Sequence, residues 1–285
     1  MTFDPFAPFN WKLGHGRQIE LGPRAVIMGV LNVTPDSFSD GGRYQRPDAA
    51  IRRARRMVRE GAEIIDIGGE SSRPGFEEIS AAEEQDRILP VFEALSGSGI
   101  LLSVDTWRAK TAELAVRAGA HIINDIWGFQ RDPELAAVAA GLSAGCLLMH
   151  TGRERQKEAD VIADQRLFLG RSLEVAFEAG IAREKIVLDP GFGFAKDHDE
   201  NIELLARMEE LFDLGCHILT GTSRKRFIGH VTGRSPGRRD SGTAATSVVA
   251  RMKGSAVFRV HDVPRNRDAL RIADAVLAAE GRMAG

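Results

Sequence analysis

Eight short apolar runs in this chain end in polar groups, and the types of those groups narrow the chemistry. The ends read Asn32; Asp66 to Glu70; Asp105; Asn124 and Asp125; His150; Asp189; Ser223 to Lys225; and Arg259, His261 and Asp262. A carboxylate in such a place costs free energy unless it is paired or hydrogen-bonded. Any single Asp among them reads equally well as a satisfied core residue. Run after run ending this way points instead to one shared site. Asp105, Asn124 and Asp189 offer carboxylate and amide groups suited to a flat, nitrogen-rich ring with several N–H donors. Asp189 can accept two parallel hydrogen bonds from a guanidine-like edge. Lys225, Arg259 and His261 supply positive charge and donors, as an anionic group on the same ligand would need.

Other chemistries find less support. Gly191-Phe192-Gly193 lacks the third glycine of a dinucleotide fingerprint, and Lys196 intrudes. No Gly-x-x-x-x-Gly-Lys phosphate loop occurs, and the seven His residues show no zinc-ligand spacing. His150 reads as a structural residue at a strand end. Lys225 has the chemistry for a Schiff base, but its neighbours Arg224 and Arg226 make a plain cationic role equally plausible. The arginines from Arg52 to Arg56 read as a solvated helix face.

The elements that carry these residues alternate. The apolar runs Val26–Asn32, Glu63–Gly69, Leu101–Thr106, His121–Ile126, Gly145–His150, Ile186–Pro190, His217–Thr222 and Val257–Val263 are apolar nearly throughout. Parallel strands buried on both faces have that character. Helical patterns fill the gaps. Ile51, Ala54, Val58 and Ala62 share one face. Ser80 followed by Glu83 predicts a capping box for a helix running to about Leu95. Asp132-Pro133 predicts an N-cap with Pro at the first helical position. Further helices are expected over Glu113–Ala118, Asp164–Ala179, Glu200–Leu214, Ser241–Lys253 and Asp268–Ala279. Strand–helix alternation on this scale reads as an α/β protein, a (β/α)8 barrel, with a doubly wound sheet as the alternative. In a barrel all the polar ends meet at one face, where such enzymes keep their active sites. The Gly-rich stretches Ser39–Gly42 and Ser71–Gly75 then read as mobile covers. Residues 1–25 form an N-terminal extension with a possible hairpin from Trp11 to Leu21 that would plug the barrel bottom; residues 26–285 form the barrel.

Bulk properties bound the answer. Lys and Arg number 38 against 40 Asp and Glu, a formal charge of −2. That balance argues against a nucleic-acid or membrane-surface protein. No apolar run is long enough for a membrane span, and the start of the chain lacks the pattern of a secretory signal. Cys146 and Cys216 each lie within an apolar run, as expected of buried thiols in a reducing cytoplasm.

Taken in order, these residues resemble the dihydropteroate synthase family. The segments that carry the resemblance are Met28–Gly42, Asp66–Gly75, Ser103–Thr106, Ile123–Ile126, Leu188–Phe194, Thr222–Lys225 and Arg259–Val263, and it extends over nearly everything from Val26 to Ala279. The family joins hydroxymethyl-dihydropterin diphosphate to 4-aminobenzoate in folate biosynthesis. It is a (β/α)8 barrel, commonly a homodimer, and a sulfonamide target. The resemblance implies a pterin pocket of Asp105, Asn124, Asp189 and Lys225, with Met149 and Phe194 packing nearby. It implies that Asn32 reaches the Mg²⁺ accompanying the diphosphate, and that Ser72, Arg259 and His261 bind phosphate oxygens. Phe38, Arg73, Pro74 and Ser223 would form the aminobenzoate side. Departure of diphosphate leaves a cation on the exocyclic methylene, which anionic Asp36 and Asp105 can stabilise. With Lys225 and Arg259, these form the expected catalytic set. The arylamine is already neutral and nucleophilic, so no strong general base is required.

The chain departs from the family pattern at three places. Ser72 stands where the family usually has Thr, Thr151-Gly152-Arg153 follows His150 where Met-x-Gly is more usual, and Arg226 stands where many members have Ser. Two other readings share the pterin pocket: a methyltransferase domain that serves a corrinoid protein, and a non-catalytic paralogue. The first need not keep the loop at Arg73 or the Ser223–Lys225 segment, and both are intact. The second is disfavoured by the presence of Asn32, Arg73 and Lys225.

Overall fold

The computed structural model describes residues 3–34, 46–70 and 78–282. Eight parallel strands close into a barrel: β3 (Val26–Asn32), β4 (Ile64–Gly68), β5 (Leu101–Asp105), β6 (Ile122–Asp125), β7 (Gly145–Met149), β8 (Ile186–Asp189), β9 (His217–Thr220) and β10 (Val257–Val260). Each pairs with its sequence neighbour, and β10 closes on β3 with Val257 opposite Val26. The helices between them are α1 (Arg46–Glu60), α2 (Ala81–Leu95), α3 (Ala109–Arg117), α4 (Leu135–Gly141), α5 (Val161–Glu178), α6 (His198–Arg207), α7 (Arg226–Thr232), α8 (Asp240–Met252) and α9 (Val263–Ala279). This is the (β/α)8 architecture, and the doubly wound alternative is excluded by closure of the sheet.

Strand alternation sorts the core into two bodies. Val26, Met28, Ile64, Leu101, Ile122, Leu147, Val187, Leu219 and Val257 pack inside the barrel. Ile27, Ile65, Leu102, Ile123, Leu148, Leu188, Ile218 and Phe258 point outward against the helices. The inner body is closed at the strand N-termini by an antiparallel hairpin of β1 (Phe9–Lys12) and β2 (Gln18–Leu21). Trp11, Leu13 and Leu21 of the hairpin are buried against those first inward residues. Trp11 Nε1–H donates to the Lys185 carbonyl at 2.9 Å, so even this buried indole is satisfied.

Local signals read from sequence fare differently. Ser80 caps α2, its hydroxyl accepting the Glu83 N–H at 3.1 Å. The Glu83 carboxylate goes to Arg87, one turn along the helix. The expectation at Asp132 is corrected. Helix α4 starts at Leu135, and the Asp132 carboxylate accepts the Glu134 N–H at 3.0 Å and the Ala109 N–H at 2.8 Å. It therefore caps α3, whose own N-cap Arg108 has no capping side chain. Helix α7 has no counterpart in the sequence reading: seven residues with Gly229 inside offer little periodicity. Nor does the fully buried Arg251, which ties α8 to Asp274 of α9 at 2.6 Å and to the Gly22 carbonyl at 2.8 Å.

Candidate active site

The same alternation that fills the barrel with apolar side chains turns a polar ring inward at its C-terminal mouth. Register aligns Asn32 with Gly68, Gly68 with Asp105, Asp105 with Asn124, and Met149 with Asp189. Arg259 shares the inward parity of Val257 on β10. Gly68 leaves room in this ring, because a Cβ there would meet the Asp105 Cβ at a tight 3.3 Å. One layer below lies Asp66, fully buried, two residues before Gly68 on β4.

A charge cluster occupies the mouth. Arg259 Nε donates to Asp66 Oδ2 at 2.6 Å, and Arg259 Nη2 donates to Asp105 Oδ2 at 2.6 Å. Asn124 Nδ2 donates to the same Asp66 oxygen at 3.1 Å. Burial pushes the Asp105 carboxyl up to about 7, with Arg259 opposing and Asp66 adding to the rise. Burial acts to lower the Arg259 guanidinium, but the carboxylates of Asp66 and Asp105 outweigh it and hold the side chain charged. Burial, followed by Arg259, lowers the Lys225 ammonium to about 8 against the pull of Asp189. Asp189 is raised by burial, and its Oδ1 accepts the Gly191 N–H at 2.7 Å. The ammonium of Lys225 also lies 4.3 Å from the centroid of the Phe194 ring.

The chain separates the three consecutive cations after β9. Arg224 adopts φ 59° and forms a two-pronged pair with Asp240 at 2.7 and 2.9 Å. Arg226 is exposed at the start of α7. Lys225 is the one brought to the cluster. Ser223 Oγ lies 2.9 Å from His261 Nδ1 and accepts the His261 N–H at 3.2 Å, which joins the ends of β9 and β10. Beside His261 opens a cavity of about 560 Å³ whose lining includes Arg53, Arg56, Arg224, Arg265, Glu60 and Asp262.

The turn after β8 carries Phe194 and is held from below. Gly191 has φ +65°, and a Cβ there would fall 1.9 Å from the His150 carbonyl oxygen. Only glycine permits that approach. Lys196 Nζ donates to His150 Nδ1 at 2.8 Å and to the Gly191 carbonyl at 3.0 Å. The opposite ring nitrogen of His150 lies 2.9 Å from Asp164 Oδ2. Burial and the neighbouring Lys196 lower the imidazole to about 3, so it is neutral, and Arg155 Nη2 lies 2.9 Å from the same ring nitrogen that faces Asp164. His150 thus sits in a packed network joining the β7 and β8 ends.

The chain's residues 28–261 match the family model described as pterin binding enzyme. The chain is 46% identical over 259 residues to a dihydropteroate synthase of Bacillus subtilis, covering 90% of each. The chain belongs to the dihydropteroate synthase family. Among solved structures, a Clostridium difficile dihydropteroate synthase in the presence of pteroic acid superposes with a TM-score of 0.88 at 45% identity, covering 90% of this chain and 98% of that one. A Xanthomonas albilineans dihydropteroate synthase with 4-aminobenzoic acid gives 0.89 at 40%, covering 94% and 99%.

Of the residues singled out from sequence, Asp105, Asn124, Met149, Asp189, Phe194, Lys225 and Arg259 meet at or beside the mouth, with Asn32 on its rim and Ser223 and His261 together on one flank. Asp36, Phe38, Ser72, Arg73 and Pro74 lie outside the described residues. Two residues central to the geometry are not singled out by the sequence reading. Asp66 appears there only as the start of a polar strand end, although its parity with Gly68 marks it as inward-facing. Lys196 appears only as a break in a glycine motif; no sequence signal joins it to His150, 46 residues away.

Proposed function

We propose that this chain is a dihydropteroate synthase whose pterin site is the ring Asp105, Asn124, Asp189, Lys225. The observation that carries the assignment is the clustering of two buried acceptor side chains, Asn124 and Asp189, and the half-buried Asp105 with two cations at a barrel mouth, in a chain of this family. Oδ2 of Asp189 is left for the amino-pyrimidinone edge, because Oδ1 is engaged by Gly191. Met149 and Phe194 are buried and supply apolar surface for the ring. Arg259 and His261, with Ser72, take the diphosphate oxygens. Ser223, with Phe38, Arg73 and Pro74, takes the aminobenzoate.

The reaction needs little proton chemistry. The arylamine nitrogen bonds to the exocyclic methylene carbon and the carbon–oxygen bond to diphosphate breaks. The electron pair leaves on the diphosphate, and the nitrogen loses a proton to solvent. Asp36 and Asp105 stabilise the positive charge on the methylene; Arg259 and Lys225 balance the negative charge near it.

Mg²⁺ fits this site as a companion of the diphosphate. Among the described residues there is no group of three or more His, Cys, Asp or Glu able to form a dedicated cage. Mg²⁺ is commonly held by one or two protein oxygens together with substrate phosphates. The amide oxygen of Asn32, at the end of β3, is the donor we assign. The ion would neutralise charge on the leaving group.

The same reading makes the protein cytoplasmic and a homodimer. Exposed Val249 on α8 and Ile272 and Val276 on α9 support a self-association surface. No helix among the described residues is long and apolar enough to cross a membrane.

The deciding experiment incubates the purified protein with hydroxymethyl-dihydropterin diphosphate, 4-aminobenzoate and Mg²⁺. Dihydropteroate and diphosphate in equal amounts are the expected products. Pterin binding without product would favour the methyltransferase or non-catalytic reading.

A further inference from the structure

The carboxylate of Asp66 lies under the pterin ring site and touches no position assigned to substrate other than Asn124 and Arg259. It is fully buried, and its Oδ2 gathers these two donors from different strands: Asn124 Nδ2 on β6 at 3.1 Å and Arg259 Nε on β10 at 2.6 Å. A primary amide can be rotated by half a turn with almost no change of shape, so its orientation is set by its partner. An ionised carboxylate only accepts. Asp66 therefore fixes which end of the Asn124 amide turns down and which turns up to the mouth. Below, the N–H meets Asp66; above, the carbonyl oxygen faces the ligand.

That orientation matters because of what surrounds it. Asp105 and Asp189, the two ring carboxylates, are acceptors. With Asn124 Oδ1 turned up, all three present acceptors to a ring edge rich in N–H donors. With the amide reversed, its N–H would oppose a ligand N–H, and one acceptor would be buried facing the Asp66 carboxylate. A buried polar group facing its own kind costs more than the bond it replaces. The same carboxylate holds Arg259 by Nε, which leaves the outer end of the guanidinium directed at Asp105 and the mouth.

We propose that Asp66 is a positioning residue that sets the donor–acceptor polarity of the pterin pocket through Asn124. It specifies ligands whose ring edge donates hydrogen bonds. The inference rests on the pterin reading of the site. A second feature marks Asp66 as placed for more than charge balance. Its Oδ1 and the Ser103 hydroxyl, on registered neighbours of β4 and β5, are both buried without a partner among the described residues. A carboxylate selected only to neutralise Arg259 would be expected to use both oxygens on it, as Asp240 does on Arg224.

The test is calorimetric titration of hydroxymethylpterin into the wild-type protein, Asp66→Leu and Asp66→Asn. Steady-state KM values for both substrates are measured alongside. In Asp66→Leu the amide of Asn124 loses the partner that orients it. Pterin affinity should fall roughly 10- to 100-fold, with the KM for 4-aminobenzoate unchanged. In Asp66→Asn the amide oxygen takes the place of Oδ2 and accepts both Asn124 Nδ2 and Arg259 Nε, so the charge is lost and the orientation is kept. Its pterin affinity should stay within about threefold of wild type, a difference below ~1 kcal/mol. If Asp66→Leu fails to fold, Asp66→Asn decides by that same comparison. Wild-type affinity in a folded Asp66→Leu protein, or a folded Asp66→Asn protein that binds tenfold or more weakly, overturns the proposal while leaving the synthase reading standing. Absence of pterin binding by the wild-type protein overturns both.

Discussion

Replacing Asp189 by Asn is the sharpest probe of the pterin site, because it changes one atom's hydrogen-bonding sense and almost no volume. Asp189 is nearly buried, and Oδ1 is committed to the Gly191 N–H at 2.7 Å. An Asn at this position keeps that bond with its own Oδ1. The Nδ2 group then points where Oδ2 had been, and a donor faces the donor edge of the ring. A lost hydrogen bond to a buried charge with a group left unpaired costs about 2–3 kcal/mol. At about 1.4 kcal/mol per tenfold, pterin affinity should weaken by roughly 30–150-fold. Calorimetry with hydroxymethylpterin measures this without the diphosphate, so Arg259, His261 and Mg²⁺ do not enter. Thermal unfolding supplies the control. Burial raises the Asp189 carboxyl above its ordinary value, so its anion is less favourable in the fold than in the unfolded chain. Removing that charge does not by itself destabilise the apoprotein, although Lys225 loses an opposing charge. Unchanged pterin affinity in a folded variant would remove Asp189 from the pocket.

Arg259→Met should weaken binding of the pterin diphosphate far more than binding of unphosphorylated hydroxymethylpterin, and slow turnover. Equal loss for both ligands in titration would mean that Arg259 shapes the barrel and does not grip phosphate. Lys225, lowered to about 8 by burial and Arg259, binds its proton below that pH and loses it above; kcat/KM for the pterin diphosphate should therefore fall as pH rises through about 8. Lys225→Arg, which stays charged, should abolish that alkaline limb, and a limb unchanged in the variant would assign it elsewhere. Borohydride treatment of wild type with substrates should leave the protein mass unchanged, since the reacting carbon offers no carbonyl; an adduct on Lys225 would revive the Schiff-base chemistry. Gly191→Ala places a methyl group 1.9 Å from the His150 carbonyl. It should lower the melting temperature and weaken pterin binding together, measured by calorimetry and thermal unfolding.

The strands are readable because a parallel barrel buries both faces, and eight such runs stand out against amphipathic helices. Their polar ends are readable for the same reason: Asp105 or Asp189 after a run of Leu and Val has no helix face to occupy. What sequence conceals is the partner. Asp132 has the residue type of an N-cap and does cap a helix, but α3 rather than the helix that follows it. Arg251 looks like any surface arginine of α8 until Asp274 and Gly22 enclose it. Arg224, Lys225 and Arg226 are indistinguishable in the chain, and the positive φ of Arg224 is what divides them. Asp66 shows the limit most clearly, because period-two parity places it inside the barrel while only closure of the sheet brings β10 to it.

Closure also explains how one arginine can serve both ends of the proposed reaction. At the mouth, Arg259 neutralises Asp105 through Nη2 and is anchored to Asp66 through Nε. On the proposed assignment, an incoming diphosphate would compete with Asp105 for the Nη groups but not with the deeper Asp66 for Nε. The anchor keeps the guanidinium plane in place while its outer partner changes. Asp105 is then less neutralised at the stage when the methylene beside it becomes cationic. As the carbon–oxygen bond lengthens, negative charge grows on the diphosphate and positive charge grows on the pterin. In the proposed reaction Arg259 would follow the first and Asp105 the second, so the two partners would separate along with the charges they stabilise. Interactions that strengthen on the way to the transition state raise turnover, whereas those equal in both states only tighten binding. An isolated Arg259–Asp105 pair would have to break with no carboxylate left on the guanidinium in this half-buried site. Sharing the arginine with Asp66 lets the exchange proceed with a carboxylate always in contact.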